Sequence, residues 1–465
     1  MNAVTLVFTT LLLFVIAYRY YGLFIASKVL GVDPARPTPA VCTPDGHDFV
    51  KTNRFVLFGH HFAAISAAGP LLGPVLAAQF GFLPGALWIL IGAVLAGAVH
   101  DMVILFASVR RGGKSLPVIA ELEIGKATGK VASVAVLFII ILAMAGLSIA
   151  LVNALYQSVW GSFTIFSTIP IAILMGIWME KLRPGDVAGA SAIGVTLLLL
   201  AVAAGPWVTQ TPWLAGHFAL SKKELSLLIP AYGFIASALP VWLLLCPRDY
   251  LSAYLKIGTI AMLVVGIFII QPELQMPAVT EFIHGGGPVI AGPVFPFIFI
   301  TIACGALSGF HAVVSSGTSP KMIASEGDIL FVGYGAMLME GLVAIMALTA
   351  ACVLVPADYF AINSSAEAYA RLGVAPVNLD GISAQVGETL QARPGGAVSL
   401  AVGMAYIFSS LPYMDQLMAY WYHFAIMFEA VFILTAIDAG TRIGRFLLQE
   451  MLGAVIPKFN EHGWM

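Results

Sequence analysis

The sequence predicts an all-α polytopic membrane protein with about eleven transmembrane helices, and three observations support this prediction. Hydrophobic residues make up 60% of the 465, the charged residues Asp, Glu, Lys and Arg only 10%, and apolar stretches recur along the whole chain. So few charges cannot coat a soluble surface, whereas an apolar helix of about 20 residues crosses a hydrocarbon core of about 30 Å. We therefore expect residues 1–465 to form one transmembrane domain in a lipid bilayer.

Hydropathy gives the positions of the expected spans. The first span lies within residues 1–30, which lack the basic segment and cleavage site of a signal peptide, so we expect it to be retained as an extra helix. The predicted spans are 4–25, 61–81, 84–108, 131–155, 162–180, 187–207, 228–246, 253–271, 293–316, 332–354 and 416–437.

The basic residues in the connecting segments orient the chain, because cytoplasmic loops collect Lys and Arg. A cytoplasmic C-terminus and an external N-terminus place Arg248 and Lys256 with the cytoplasmic residues. The weaker apolar stretch from Ala397 to Leu411 would break this pattern if it crossed fully, so we predict that it is re-entrant or interfacial. The polar segment 355–396 is expected to be an external lid or cap loop. Only four of the 22 Lys and Arg residues then lie outside, namely Lys222, Lys223, Arg371 and Arg393.

Composition and motifs argue against several functions. A net charge of −2 gives no indication of a nucleic-acid partner. The four cysteines are far apart and form no CxxC pair, so no disulfide, structural zinc, other metal or cofactor is expected. No HExxH or GxSxG motif occurs, and the segment around Lys114 lacks one glycine of a P-loop, so we do not expect an enzyme. A membrane-embedded enzyme with metal ligands among His60, His61, His100 and Asp101, or a channel or sensor, remains the alternative.

Proline and glycine interrupt two of the predicted spans. The segment from Gly69 to Pro74 is predicted to be non-helical, because Pro70 lacks an N–H and frees the carbonyl of Ser66. Five spans later, Gly233 to Pro240 interrupts a helix that crosses in the opposite direction. A simple kink is the alternative for either helix alone, since Gly and Pro are common in membrane helices.

Two broken helices, five spans apart and inverted, predict a LeuT-like five-plus-five inverted repeat over residues 60–207 and 226–437. Unwound backbone at membrane depth is tolerated where it lines a cavity, so we expect both breaks to face one substrate site. Backbone amides at the start of the second half-helix would bind the anionic end of the substrate. The candidate substrate-binding residues are Ala68, Gly69, Pro70, Gly73, Pro74, Tyr232, Gly233, Ser237 and Pro240.

The ninth predicted span, 293–316, carries a polar stripe on one helical face. The stripe either packs against neighbouring helices or lines a polar pathway. Hydroxyl and carbonyl oxygens would favour sodium, for which Ser315, Ser316 and Thr318 are suitably spaced, whereas a proton would favour His311. The members of the stripe are Thr301, Cys304, Ser308, His311, Ser315 and Thr318.

Ionisable residues within the spans are expected to face the protein interior, because they are costly in lipid. Glu340 and Glu429 are the strongest proton candidates, since each lies well inside an apolar helix without an adjacent base, although a structural ion pair is an equal alternative. His100 and Asp101 are interpreted as a self-contained polar pair near the cytoplasmic end. The ion-coupling candidates are Ser308, His311, Ser315, Ser316, Thr318, Glu340, Glu429, His100 and Asp101.

Six long segments are distinctive: LFGHHFAAISAAGPLLGPVLAAQFG, AGAVHDMVILFASVRRGGKSL, LPVWLLLCPRDYLSAYLKIGTI, FITIACGALSGFHAVVSSGTSPKMIASEGD, GYGAMLMEGLVAIMAL and WYHFAIMFEAVFILTAIDAGTRIGRFLLQE. These segments resemble the carbon starvation protein A (CstA) family. This resemblance implies a multi-pass transporter of the bacterial inner membrane, related to the amino acid, polyamine and organocation carriers and associated with peptide uptake under carbon starvation. Some relatives are proton-coupled pyruvate carriers, so the substrate is expected to be a peptide or pyruvate, and the coupling ion and oligomeric state stay open. Longer members continue beyond the point that corresponds to residue 465.

Overall fold

The computed structural model describes residues 1–44, 49–183, 186–239, 244–453 and 456, and within these ranges it contains helices and no strands. The main helices in the first half are α1 Ala3–Val29, α2 Arg54–Ile65, α3 Gly69–Phe80, α4 Phe82–Arg110, α5 Leu116–Glu123, α6 Lys126–Leu155, α7 Val159–Ile177 and α8 Ala188–Gln210. Those in the second half are α9 Lys222–Ala238, α10 Leu245–Ile270, α11 Val294–Thr301, α12 Gly309–Gly317, α13 Glu326–Cys352, α14 Ala397–Ser409 and α15 Asp415–Gly453.

Eight helices in the described part of the chain are long and apolar enough to cross a membrane, and the bent pair α2 and α3 would make a ninth. The multi-pass helical architecture is therefore confirmed, whereas the predicted count of eleven is not. The predicted span 228–246 corresponds to α9, which has 17 residues and begins at the charged pair Lys222 and Lys223. The predicted span 293–316 is two short helices, α11 and α12.

The first helix break lies earlier than predicted. Gly69 to Pro74 is helical, and the chain instead leaves the helical conformation at Ser66, where φ is −75° and ψ is 83°, so that α2 and α3 meet at a bend of 48°. The prediction that Gly69 to Pro74 is non-helical was wrong, because proline is tolerated in the first turn of a helix, where its missing N–H would have no partner. Pro70 occupies this first turn of α3.

The second predicted break also lies elsewhere. α9 continues through Ala238 with Pro230 inside it, so the prediction of a non-helical stretch from Gly233 was wrong up to that residue, and Pro240 lies outside the described residues. The chain breaks instead between α11 and α12. Ser308 starts the new helix, because its side-chain oxygen accepts a hydrogen bond from the backbone N–H of Phe310 at 3.2 Å. The predicted polar stripe is consequently divided, with Thr301 at the end of α11, Cys304 in the linker and the other members at or just beyond the two ends of α12 or within it.

The break between α11 and α12 packs against the start of α3. A Cβ atom added to Gly69 would overlap the side chain of Cys304, and one added to Gly73 would overlap the carbonyl of Thr301. Glycine is required at both positions, because only a residue without a side chain allows so close an approach of two backbones. The two interrupted regions of the chain therefore lie side by side, with the almost wholly buried α13 packed against α3.

Candidate ion and substrate site

A buried lysine occupies the break between α2 and α3. Lys256 extends from α10, and its Nζ donates hydrogen bonds to the carbonyl oxygens of Ala63 at 2.9 Å and Ser66 at 2.7 Å. The residue is fully buried, and Nζ lies 4.1 Å from the centre of the Phe432 ring. The prediction that the carbonyl of Ser66 makes no helical hydrogen bond is thus confirmed. This carbonyl accepts a hydrogen bond from the ammonium group of Lys256 instead. Lys256, which the charge pattern assigned to the cytoplasmic side, is not in a solvent-exposed loop, because the freed carbonyls provide a polar site for it inside the protein.

A second polar group joins three helices. His311 on α12 lies between two carboxylates, with Nδ1 2.9 Å from Asp101 Oδ2 on α4 and Nε2 3.2 Å from Glu340 Oε2 on α13. All three side chains are fully buried. His100 Nδ1 lies 2.9 Å from the other Asp101 oxygen. The interpretation of His100 and Asp101 as a self-contained pair was wrong, because a distant part of the chain supplies His311.

Cys304, in the linker between α11 and α12, lies beside this group. Its Sγ is 3.5 Å from His311 Nε2, so the same ring nitrogen faces a thiol and a carboxylate. Neither carboxylate oxygen of Glu340 makes a hydrogen bond within the described part of the chain. His311 Nε2 and Glu340 are therefore close enough for an ion pair, but the angle between them does not allow a hydrogen bond.

The predicted hydroxyl ligands for sodium do not share one set of contacts. Ser316 Oγ donates to the carbonyl of Ala312 at 2.7 Å and accepts from the N–H of Leu116 at 3.1 Å. Thr318 Oγ1 lies 3.3 Å from His60 Nε2. Ser315 is fully buried, and its hydroxyl has no hydrogen-bond partner among the described residues. Ser308 caps α12, as described above. The structure therefore distributes these hydroxyls over separate contacts.

Glu429, on α15, is fully buried, and neither of its carboxylate oxygens has a hydrogen-bond partner in the described ranges. It lies one turn before Phe432, the ring that contacts the ammonium group of Lys256. A buried carboxylate ion without a partner is strongly unfavourable, so we expect this side chain to hold a proton in the present conformation.

The second set of predicted substrate residues packs against α15. Tyr232 Oη donates to Asp438 Oδ2 at 3.0 Å, and the Tyr232 ring lies 4.8 Å from the guanidinium carbon of Arg248. A Cβ atom on Gly233 would contact Ile437 at 3.2 Å, and the Ser237 carbonyl accepts a hydrogen bond from Arg445 at 2.8 Å. The two predicted substrate groups therefore contact different parts of the protein, with Ala68 and the α3 residues at the first break and these residues along α15.

Sequence reasoning missed three charged residues in the interior. Arg248 Nη1 lies 2.9 Å from Asp438 Oδ2, and Lys256 occupies the helix break. One signal was available, because Lys256 falls inside the apolar stretch predicted to span from 253 to 271. Asp438 directly follows the last predicted span, where a charge is unremarkable.

An apolar cavity of about 620 Å³ opens between α8, α10 and α15. Its lining contains no charged residue, and Tyr254, Thr259 and Tyr420 are among the few that carry a hydroxyl. A substrate with a carboxylate needs a positive group, so the charged break at Lys256 suits such a substrate better than this cavity does.

The segment 355–396 contains three short helices, Pro356–Asn363, Ala366–Ala370 and Leu379–Val386. Arg393 fixes its end to the helices, because one guanidinium nitrogen lies 3.0 Å from Glu388 and the other donates to the carbonyl of Tyr156 at 2.9 Å. Tyr422 on α15 donates to the same Glu388 carboxylate at 3.2 Å. The end of this segment is therefore attached to the helices by a polar network.

Comparisons with known proteins give one consistent family. Residues 2–465 match the family model described as carbon starvation protein CstA. The chain is 54% identical to the peptide transporter CstA of Bacillus subtilis (strain 168), covering 100% of this chain and 77% of that protein. It is 52% identical to the peptide transporter CstA of Escherichia coli (strain K12), covering 98% and 68%, and 47% identical to the pyruvate/proton symporter BtsT of the same organism, covering 98% and 69%.

Proposed function

Because the chain belongs to the carbon starvation protein CstA family of transporters, we propose that it is a secondary active importer of small peptides, driven by the proton gradient across the bacterial inner membrane. The observation that carries this proposal is the ammonium group of Lys256, which donates to two backbone carbonyls at the break between α2 and α3. Broken helices in carriers bind coupling cations through such carbonyls. In this protein a side chain supplies the cation.

The position of Lys256 favours protons over sodium. An ammonium group on the Ala63 and Ser66 carbonyls excludes a metal cation from the same oxygens by charge and by volume. The hydroxyls of Ser316 and Thr318 are engaged with other partners, as described above. Sodium binding would require these groups to release their partners and converge.

Glu429 is the residue that we assign to proton exchange. His311 lies within ion-pair distance of both Asp101 and Glu340, whereas Glu429 has no hydrogen-bond partner within the described residues. Such a carboxyl changes charge with its surroundings, since opening its environment to water stabilises the ion. Conformations of the transport cycle that expose α15 to water to different extents would therefore bind and release a proton at Glu429.

The anionic end of the substrate would bind at the helix break. The Lys256 ammonium and the N-terminus of α3 are both positive; the backbone amides at Ala68 and Gly69 belong to this terminus, and Gly73 lies one turn further along α3. Gly69 is closed against Cys304 in the structure. The site would thus open when the linker between α11 and α12 moves away from α3.

Pyruvate is the second candidate substrate, because one relative at 47% identity is a pyruvate/proton symporter. Peptides and pyruvate share the carboxylate that Lys256 would bind, but only a peptide also carries an ammonium group. Uptake of labelled dipeptides and of labelled pyruvate into proteoliposomes, each competed by the other, would distinguish the two.

The decisive test uses purified protein in proteoliposomes with an imposed proton gradient. Peptide should accumulate in the vesicles at a rate that saturates with peptide concentration and does not depend on a sodium gradient. E429Q should lose gradient-driven accumulation and keep counterflow exchange, while the exposed control E367Q should behave as the wild type. Sodium-driven uptake that survives a protonophore at clamped potential would overturn proton coupling, and non-saturable flux would indicate a channel.

The inverted repeat and the orientation are part of the same proposal. In a five-plus-five core the ninth span is the eighth helix, which faces the first broken helix, and the contacts of Gly69 and Gly73 with Cys304 and Thr301 support that arrangement.

With the N-terminus outside, the exposed Cys42 lies in the cytoplasm. A membrane-impermeant maleimide should label Cys42 in inside-out vesicles and spare it in right-side-out vesicles, and a cysteine at Arg371 should show the reverse pattern.

A further inference from the structure

We propose that Cys304, His311 and Glu340 form a binding site for a zinc ion, with Asp101 orienting the histidine. Zinc prefers sulfur, imidazole nitrogen and carboxylate oxygen ligands, and these three residues provide one of each. Their ligand atoms all lie within 4.8 Å of one another. The cysteine spacing gave no indication of this site, because Glu340 comes from a different helix.

The distances agree with a shared ion. Tetrahedral bonds of about 2.0 Å to nitrogen and oxygen and about 2.3 Å to sulfur place nitrogen about 3.5 Å from sulfur and about 3.3 Å from oxygen. The observed distances from His311 Nε2 are 3.5 Å to Cys304 Sγ and 3.2 Å to Glu340 Oε2. The three protein ligands leave a fourth tetrahedral position for water or another ligand.

Asp101 provides the support that zinc-binding histidines usually have. Such a histidine donates its other ring N–H to a carboxylate or carbonyl, which fixes the tautomer and the ring orientation. Nδ1 of His311 faces Asp101 Oδ2 at 2.9 Å, so Nε2 points towards Cys304 and Glu340. His100 contacts the second oxygen of Asp101 at 2.9 Å and holds that carboxylate in turn.

The buried carboxylate of Glu340 is an independent indication of a ligand. The side chain is fully buried, and neither oxygen makes a hydrogen bond within the described chain. A buried carboxylate whose oxygens make no hydrogen bond carries a large desolvation cost, which coordination of a divalent cation would offset. Cys304 keeps some exposure, and this is the side from which an ion would enter.

The bound ion would join the linker between α11 and α12 to α13. This role is separate from the proton exchange assigned to Glu429, which is not among the ligands. The two proposals can therefore fail independently.

The test measures metal content and spectra on the full chain in detergent. After chelator treatment and dialysis against zinc, wild-type protein should retain one equivalent per chain, and C304S and E340Q should retain none. The control C352S alters a buried cysteine outside the site and E429Q alters another buried carboxyl, so both should retain zinc. D101N should weaken zinc binding by about 10–100-fold without abolishing it.

Two further measurements avoid dependence on variants that fold poorly. Cobalt in place of zinc should produce a thiolate charge-transfer band in the wild type. In a variant whose only cysteine is Cys304, zinc should slow alkylation of that thiol. Zinc content in the wild type no higher than in C304S, a cobalt complex without the thiolate band, or alkylation unaffected by zinc would each overturn the proposal.

Discussion

Arg248 Nη1 lies 2.9 Å from Asp438 Oδ2, and each side chain is only 1% exposed. Arg248 comes from the start of α10 and Asp438 from the middle of α15, so the pair joins two helices that are far apart in sequence. Tyr232 of α9 binds the same carboxylate oxygen at 3.0 Å. Arg248, which the charge pattern assigned to the cytoplasmic side, is therefore buried in the protein, where an acidic partner on α15 holds it.

Removing one member of this pair should destabilise the protein strongly. D438N removes the negative charge that lies 2.9 Å from the buried Arg248 guanidinium, and we expect a loss of about 3–5 kcal/mol. The double variant R248M/D438L should recover much of that loss, since replacing both charges by apolar groups removes the uncompensated ion. Thermal unfolding monitored by size-exclusion chromatography measures both effects. The exposed pair Arg111 and Glu123 is the control, and E123Q should change stability by less than about 1 kcal/mol. Equal losses in the double and single variants would contradict this account.

Replacing Lys256 by methionine should abolish uptake. K256M keeps most of the side-chain volume but leaves the carbonyls of Ala63 and Ser66 without their ammonium partner, which costs about 1–3 kcal/mol for each unsatisfied group. Initial rates of peptide uptake in proteoliposomes measure the loss. K126M, at the exposed start of α6, provides the matched control and should transport normally. Normal uptake by K256M would show that the helix break needs no fixed cation.

Enlarging Gly69 should block transport while leaving membrane insertion intact. In G69V the new side chain would overlap Cys304, so α3 and the linker between α11 and α12 cannot reach their closed contact. Uptake should be lost, and the amount of protein in washed membranes should be unchanged. G146V is the control, because a Cβ atom at Gly146 meets open space. Wild-type uptake by G69V would exclude a functional role for this contact.

Arg393 should control the mobility of the segment 355–396. R393A removes the contacts to Glu388 and to the carbonyl of Tyr156, so the end of the segment loses its attachment to the bundle. Hydrogen exchange of residues 379–392 should become faster, because local opening then breaks fewer contacts. R371A, at an exposed residue of the same segment, should leave the exchange rates unchanged. Unchanged exchange in R393A would mean that other contacts hold the segment.

The sequence was sufficient to predict that the chain is a membrane protein, where most of the spans lie, and that the carbonyl of Ser66 makes no helical hydrogen bond. Each of these properties depends on local chemistry. Apolar length defines a span, and a proline four residues later frees a carbonyl wherever the helix leads. The partners could not be predicted, because Lys256, His311 and Asp438 contact residues on other helices that are 190 to 210 positions away in the sequence. The second break was misplaced because proline counts favoured α9, whereas the linker before Ser308 contains no proline and breaks through a side-chain cap.

The glycine contacts also determine which parts of the molecule can move. Cβ atoms on Gly69 and Gly73 of α3 would overlap Cys304 and Thr301, and one on Gly97 of α4 would overlap the carbonyl of Ala306. Backbone packed this closely on two sides leaves no room to slide, so only complete separation or joint movement is possible. The linker from 302 to 308 can move together with α4 and separate from α3. In that case the interface that opens is the one at Gly69 and Gly73. The rotation of a transport cycle would then be concentrated at Ser66 to Ala68, where the helix is already open.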